Sequence, residues 1–267
     1  DVVTTSGESY IVTGSASVEW SKTRAYTAWI GGDGTKAFSR KDAVRDGNTV
    51  AYSIARDNYE FYITGTTDSF SGSQDFFYII KLYLASASSF GSRFKKEYGI
   101  GVGRAIEVDS SGDVIAAGEK AGNSFLIKVD SNGNHIWNIT LDSGEATSVK
   151  VDSSGNYIVL ANKNDDIQIF KVTSAGDVSW KKTFDTTSTD LGKDLIIDGS
   201  QYVITGKRDG DLYMMKTTAP CIAECSSGAV RCNGDYKQTC GNYDSDSCSE
   251  WPDSPPGDGN DDCQYGC

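Results

Sequence analysis

The first 220 residues contain no cysteine, and the whole chain holds one histidine, His135, and only four prolines. With a single imidazole, and every thiol confined to the last 47 residues, nucleophile-plus-base catalysis has almost nothing to work with. Positive charge is also short: 25 Lys and Arg stand against 37 Asp and Glu, a net charge of −12. A nucleic-acid partner would need a basic face, so none is expected. Long apolar runs are missing as well; none approaches the roughly 20 residues of a membrane-spanning helix, and no membrane span is expected. Helical periodicity is absent, since no stretch keeps apolar residues at helical spacing for three turns.

What the chain has in quantity is glycine, 29 residues, set in a recurring pattern. A short apolar run returns as Tyr10-Ile-Val-Thr-Gly14, Tyr62-Ile-Thr-Gly65, Val114-Ile-Ala-Ala-Gly118, Tyr157-Ile-Val-Leu-Ala161 and Tyr202-Val-Ile-Thr-Gly206. Spacings of 43 to 53 residues between the ends of these runs mark a tandem repeat. The third repeat reads as four strands: 104–108, 114–118, 124–129 and 135–140, parted by the turns Asp109-Ser-Ser-Gly-Asp113 and Asp130-Ser-Asn-Gly-Asn134. Such a sheet cannot bury both faces alone and must stack on its neighbours around an axis. The expected fold is therefore all-β, a five-bladed β-propeller of four-stranded blades over 1–220.

Two irregularities stand out. Segments 15–24 and Ala85-Ser-Ala-Ser-Ser-Phe-Gly-Ser92 read as insertions, and insertions map to loops. The fifth repeat reaches Pro220 without an aromatic fourth strand to match Phe38, Phe94, Trp137 and Trp180. Blade five should then present an open edge over Leu212, Tyr213, Met214 and Met215, a template for a further strand, with the cysteine-rich tail that follows or a strand from a neighbouring molecule as its two expected covers. Asp1–Thr5 reads as the inner strand of blade one.

Residues 221–267 read as a separate acidic module, nine acids against two bases, holding Cys221, Cys225, Cys232, Cys240, Cys248, Cys263 and Cys267. No histidine lies near them, so a disulfide framework is expected rather than zinc. Seven is odd; three internal bridges leave one thiol free or joined to another molecule. The opening at Asp1 without a methionine reads as a mature product, and with the cysteines it points to an extracellular or cell-surface location. Asn138-Ile-Thr140 is a glycosylation sequon. The run Cys225-Ser-Ser-Gly-Ala-Val-Arg-Cys232-Asn-Gly-Asp-Tyr-Lys-Gln-Thr-Cys240, with Trp251 and Cys263-Gln-Tyr-Gly-Cys267, resembles small cysteine-rich modules of microbial surface proteins, which implies surface placement and no chemistry.

The repeats resemble secreted bacterial and archaeal propellers with an Asp-x-x-Gly turn before an aromatic strand. Asp130 to Trp137 and Thr173 to Trp180 also resemble the tryptophan-docking motif of quinoprotein dehydrogenases. The match ends there, because those enzymes have more blades and a metal-and-quinone pocket with no counterpart residues here. Trp137 and Trp180 are expected to pack between blades. Calcium is the one cofactor weighed: Asp258, Asn260 and Asp262 alternate oxygen side chains, while Asp75, Asn123, Asp166 and Asp211 recur before each third strand. The turns at Asp109, Asp130 and Asp152 read as plain hairpins, whose Asp side chains bond to their own backbone.

The expected function is a non-catalytic structural one: a subunit that self-assembles, as a homo-oligomer or filament of a cell-surface layer or fibre, through the blade edge and the C-terminal module. A secreted adhesin or lectin-like propeller, binding glycans or proteins through Tyr26, Trp29, Phe70 or Tyr83, is the alternative. A hydrolase or quinoprotein ranks below both, since no motif singles out a carboxylate pair.

Overall fold

The computed structural model describes residues 1–5, 9–18, 22–68, 74–86, 88–184 and 188–218, with the short hairpin 230–233 and 236–239. The chain divides into two compact units, 1–218 and 219–267. In the second unit, β20 (Val230–Asn233) pairs antiparallel with β21 (Tyr236–Thr239), placing Cys232 opposite Lys237. The other six cysteines and Asp258, Asn260 and Asp262 lie outside the described residues, as does Phe70.

The first unit is all strand. Blade one holds β1 (Val2–Thr4), β2 (Tyr10–Val18), β3 (Lys22–Ile30) and β4 (Lys36–Asp42); blade two holds β5 (Thr49–Asp57), β6 (Glu60–Asp68), β7 (Asp75–Ser86) and β8 (Ser89–Ile100). Blade three follows with β9 (Val102–Val108), β10 (Val114–Lys120), β11 (Asn123–Val129) and β12 (His135–Ser143), and blade four with β13 (Glu145–Val151), β14 (Tyr157–Lys163), β15 (Asp166–Val172) and β16 (Val178–Phe184). Blade five has three strands, β17 (Asp190–Asp198), β18 (Gln201–Arg208) and β19 (Asp211–Thr218). Within each blade, neighbours in sequence pair antiparallel. The first strands of all five blades line one channel, the arrangement of a β-propeller.

The described residues of the two sequences read as insertions lie mainly in strands. Residues 15–18 and 22–24 prolong β2 and β3, and Ala85 and Ser86 continue β7 into the hairpin with β8, where Ser86 pairs with Ser89. Long strands with polar tips extend the sheet instead of leaving it.

The glycine that ends the repeated run has a steric cause. In four blades the inner strand carries a β-bulge, in which one residue, Tyr52, Arg104, Thr147 or Lys193, has no partner on the second strand. The bulge presses the inner strand's carbonyl against its neighbour. A Cβ on Gly65, Gly118 or Gly206 would stand 1.9, 1.9 or 2.0 Å from the oxygens of Val50, Val102 and Leu191. Gly14 meets nothing within 4 Å, because β1 pairs only up to Val12.

Three buried apolar clusters fill the seams between blades one and two, two and three, and three and four. Among the described residues, none joins blade five to blade one.

Candidate assembly edge and the open seam

One device recurs in blades three and four. The Asp-x-x-Gly turn puts its Asp Oδ1 on the amides two and four residues on, as Asp109 does with Ser111 (2.9 Å) and Asp113 (3.1 Å), so these turns are backbone caps. The other oxygen takes a lysine of the third strand: Asp109 binds Lys128 at 2.9 Å and Asp152 binds Lys171 at 2.8 Å. Burial works against both carboxylates, but the lysines and the amide bonds outweigh it and hold Asp109 and Asp152 below the ordinary range. Asp109 also accepts from Tyr157 of the next blade at 2.8 Å, and burial pushes that hydroxyl up to about 12.

Opposite that lysine stands the aromatic residue of the outer strand: Lys81 pairs with Phe94, Lys128 with Trp137 and Lys171 with Trp180. The aromatic then reaches into the following blade. Trp137 packs at a tilt against Tyr157 at 5.9 Å, donates its indole N–H to Ser174 O at 3.1 Å and covers Gly176, whose added Cβ would lie 3.1 Å from the ring. Trp180 packs in the same way against Tyr202 at 5.7 Å, and Phe94 covers Gly133. The tryptophans are inter-blade packing, as expected.

Blade five keeps the Asp–Lys pair, without the Asp-x-x-Gly cap and without a fourth strand among the described residues. Asp198 binds Lys216 at 2.7 Å, in the register that Asp152 and Lys171 occupy in blade four. Beyond β19 the described residues supply no strand. Leu212 and Met214, on the face turned away from blade four, are 92% and 70% exposed. Along the edge expected over 212–215, Tyr213 and Met215 lie on Tyr202's face, half buried, with the Tyr213 hydroxyl 3.0 Å from Arg208 and 3.4 Å from the Met215 sulfur.

The matching deficit appears on blade one. Phe61, Val114, Tyr157 and Tyr202, four residues before each run's final residue, are buried, whereas the equivalent Tyr10 is 42% exposed. Gly34, in the turn equivalent to those of Gly133 and Gly176, has nothing within 4 Å of its Cβ position. Both are the surfaces that an outer aromatic strand of blade five would cover.

The other expectations fare unevenly. Asp75, Asn123, Asp166 and Asp211 each open a third strand and close their own hairpin, opposite Asp68, Lys120, Lys163 and Arg208, and no group of three His, Cys, Asp or Glu side chains suited to a metal occurs among the described residues. Trp29 is stacked on Phe38 at 5.8 Å, and Tyr83 lies under Arg93 at 3.9 Å, so neither is a free binding aromatic. Tyr26 is half buried. Asn138 is exposed on β12, its amide 2.7 Å from His135 Nε2. Among the described residues no helix is long and apolar enough to cross a membrane.

No family model and no curated protein matches the chain. Solved structures do. A Bacteroides caccae protein of unknown function is similar at 10% identity and a TM-score of 0.52, over 88% of this chain and 83% of that one. The Dos1 propeller is similar at 13% identity and a TM-score of 0.50, over 82% and 61%. These likenesses show the propeller fold. A third neighbour, described as a luciferin-regenerating enzyme, has 13% identity and a TM-score of 0.48 over 77% and 69%. The expectation of a chain without catalytic activity is withdrawn: a propeller fold fixes no chemistry, and a scarcity of imidazole and thiol groups does not exclude an enzyme.

Proposed function

We propose that the chain is an assembling subunit of an extracellular or cell-surface structure, a five-bladed propeller whose fifth blade is completed by an extended strand from another copy. The observation that carries this reading is the paired deficit at one seam: an apolar, unpaired β19 edge on one side, Tyr10 and Gly34 uncovered on the other. Backbone pairing along an edge gives affinity, and side-chain pockets give register. The incoming strand places an aromatic residue opposite Lys216, as Trp180 stands opposite Lys171. An odd number of cysteines next to this edge in sequence supports a covalent link between copies.

The test is light scattering and negative-stain microscopy of the native chain, beside non-reducing and reducing gels. Regular oligomers that Leu212→Asp with Met214→Asp dissolve support the reading, since two carboxylates on an apolar edge oppose pairing. A wild-type chain that stays monomeric at every concentration overturns it.

A further inference from the structure

The four bulges point to a second site, independent of the edge. A bulge re-aims the side chain of its extra residue, and here four inner strands carry one at the same place, so Tyr52, Arg104, Thr147 and Lys193 all line the central channel, a cavity of about 750 Å³. Arg104 and Lys193 also line a second hollow of about 480 Å³, so these two side chains border both spaces. The Arg104 guanidinium lies 4.6 Å from the Tyr52 ring centroid and is ion-paired with Glu145 of the next blade. Thr147 donates to Gly192 O at 3.0 Å. Each ring member is thus held by a contact from its own or a neighbouring blade, apart from Lys193, which is exposed and enters no ion pair among the described residues.

Charge in the channel runs against the rest of the molecule. In a chain with twelve more acids than bases, the channel gathers Arg56, Arg104, Lys150 and Lys193 against the carboxylates of Asp1, Glu107 and Asp194. Those carboxylates are engaged. Asp1 accepts from Ser53 Oγ at 2.8 Å and Ile54 N at 3.1 Å; Asp194 accepts from Ser148 Oγ and Leu195 N, both at 2.8 Å; Glu107 faces Lys150 at 3.8 Å. Arg56 donates to the carbonyl oxygens of Asn58 and Thr4, which leaves Lys193, lining the same channel as Arg104 and Thr147, as the cation without a partner among the described residues.

We infer that this ring is a binding site for a small hydroxylated carboxylate, in size and chemistry a uronic acid of one or two sugar units. A guanidinium from blade three and an ammonium from blade five, lining the same channel, match a carboxylate. The hydroxyl-lined wall matches sugar hydroxyls, and the volume lies within the range of small-ligand sites. Repeated bulges supply what a regular inner strand would not, four different side chains turned into one space.

The probe is D-glucuronate, titrated into the full chain and followed by calorimetry and by line broadening of the sugar signals. Saturable binding that Lys193→Met and Arg104→Met each weaken by about tenfold or more, that Lys207→Met leaves unchanged, and that D-glucose does not displace, is the expected result. Lys193 is exposed, so its substitution reads binding without a folding defect. Absence of saturable binding, binding that survives both substitutions, or equal competition by glucose overturns the inference. The edge variants of β19 bind glucuronate as the native chain does, which separates this site from assembly.

Discussion

Blades four and five are written in the same pattern and buried to opposite degrees. Asp166-Ile-Gln-Ile-Phe-Lys171 in β15 and Asp211-Leu-Tyr-Met-Met-Lys216 in β19 place acid, apolar residues and lysine at matching positions. Ile167 and Ile169 are fully buried, whereas Leu212 and Met214 are among the most exposed apolar side chains of the unit. Composition is therefore not what buries a third strand. Burial comes from the outer strand beside it and its packing on the next blade, and blade five lacks that outer strand among the described residues. The same contrast separates Tyr157, under Trp137, from Tyr10, under nothing comparable.

The sharpest way to break the comparison is at those two tyrosines. Tyr157→Ala removes a buried ring, its packing against Trp137 and its bond to Asp109, at an expected cost of about 3–5 kcal/mol. Tyr10→Ala costs within about 0.5 kcal/mol in the isolated subunit, and weakens assembly once the incoming strand is present. Chemical denaturation of the two variants, at concentrations below and above assembly, checks both halves. Equal losses in the dilute chain would mean that Tyr10 is already covered.

A smaller effect separates the third strands. Ile169→Ala leaves a cavity in a closed seam and costs about 2–4 kcal/mol, while Met214→Ala changes denaturation of the monomer by less than about 0.5 kcal/mol. Sedimentation of Met214→Ala then shows fewer large species, because the lost methylenes belong to the interface and not to the subunit core.

Much of this was legible before any coordinates. Alternation and Asp-x-x-Gly turns located the strands, and the absence of an aromatic after Met215 marked blade five as the incomplete one. The roles of Trp137 and of the Asp109, Asp130 and Asp152 turns were readable too, because capping and stacking are local chemistry repeated in phase. What could not be read depends on relations between repeats. In three blades the bulges leave one trace in sequence, the run-ending Gly65, Gly118 and Gly206, and its cause, a carbonyl 1.9–2.0 Å from a missing Cβ, emerges only when two strands are set side by side. Arg104 and Lys193 look like ordinary strand cations until five inner strands are arranged around one axis. Tyr10 reads the same as Tyr157 and Tyr202, yet it is 42% exposed where they are buried.

The finest contrast is electrostatic. Asp152 and Asp198 each hold the lysine of their own third strand at closely similar distances, 2.8 and 2.7 Å, but the Asp152 side chain is largely covered and that of Asp198 lies in solvent. The Asp152 carboxyl is held below its ordinary value, with burial overcome by Lys171 and the Asn156 amide. A depressed carboxyl stabilises the fold above its unfolded value of about 3.9, and that contribution disappears as pH falls through the lower folded value. Asp152→Asn should therefore cost about 1–2 kcal/mol at neutral pH and flatten the fall in stability on the acid side below about pH 4. Asp198 is also depressed, through Lys216, but water screens that pair, and Asp198→Asn leaves both the neutral midpoint and the acid limb in place. Thermal unfolding of the two variants from pH 2 to pH 7 measures the difference, and parallel acid limbs in both would show that the two pairs are equivalent despite their unequal cover.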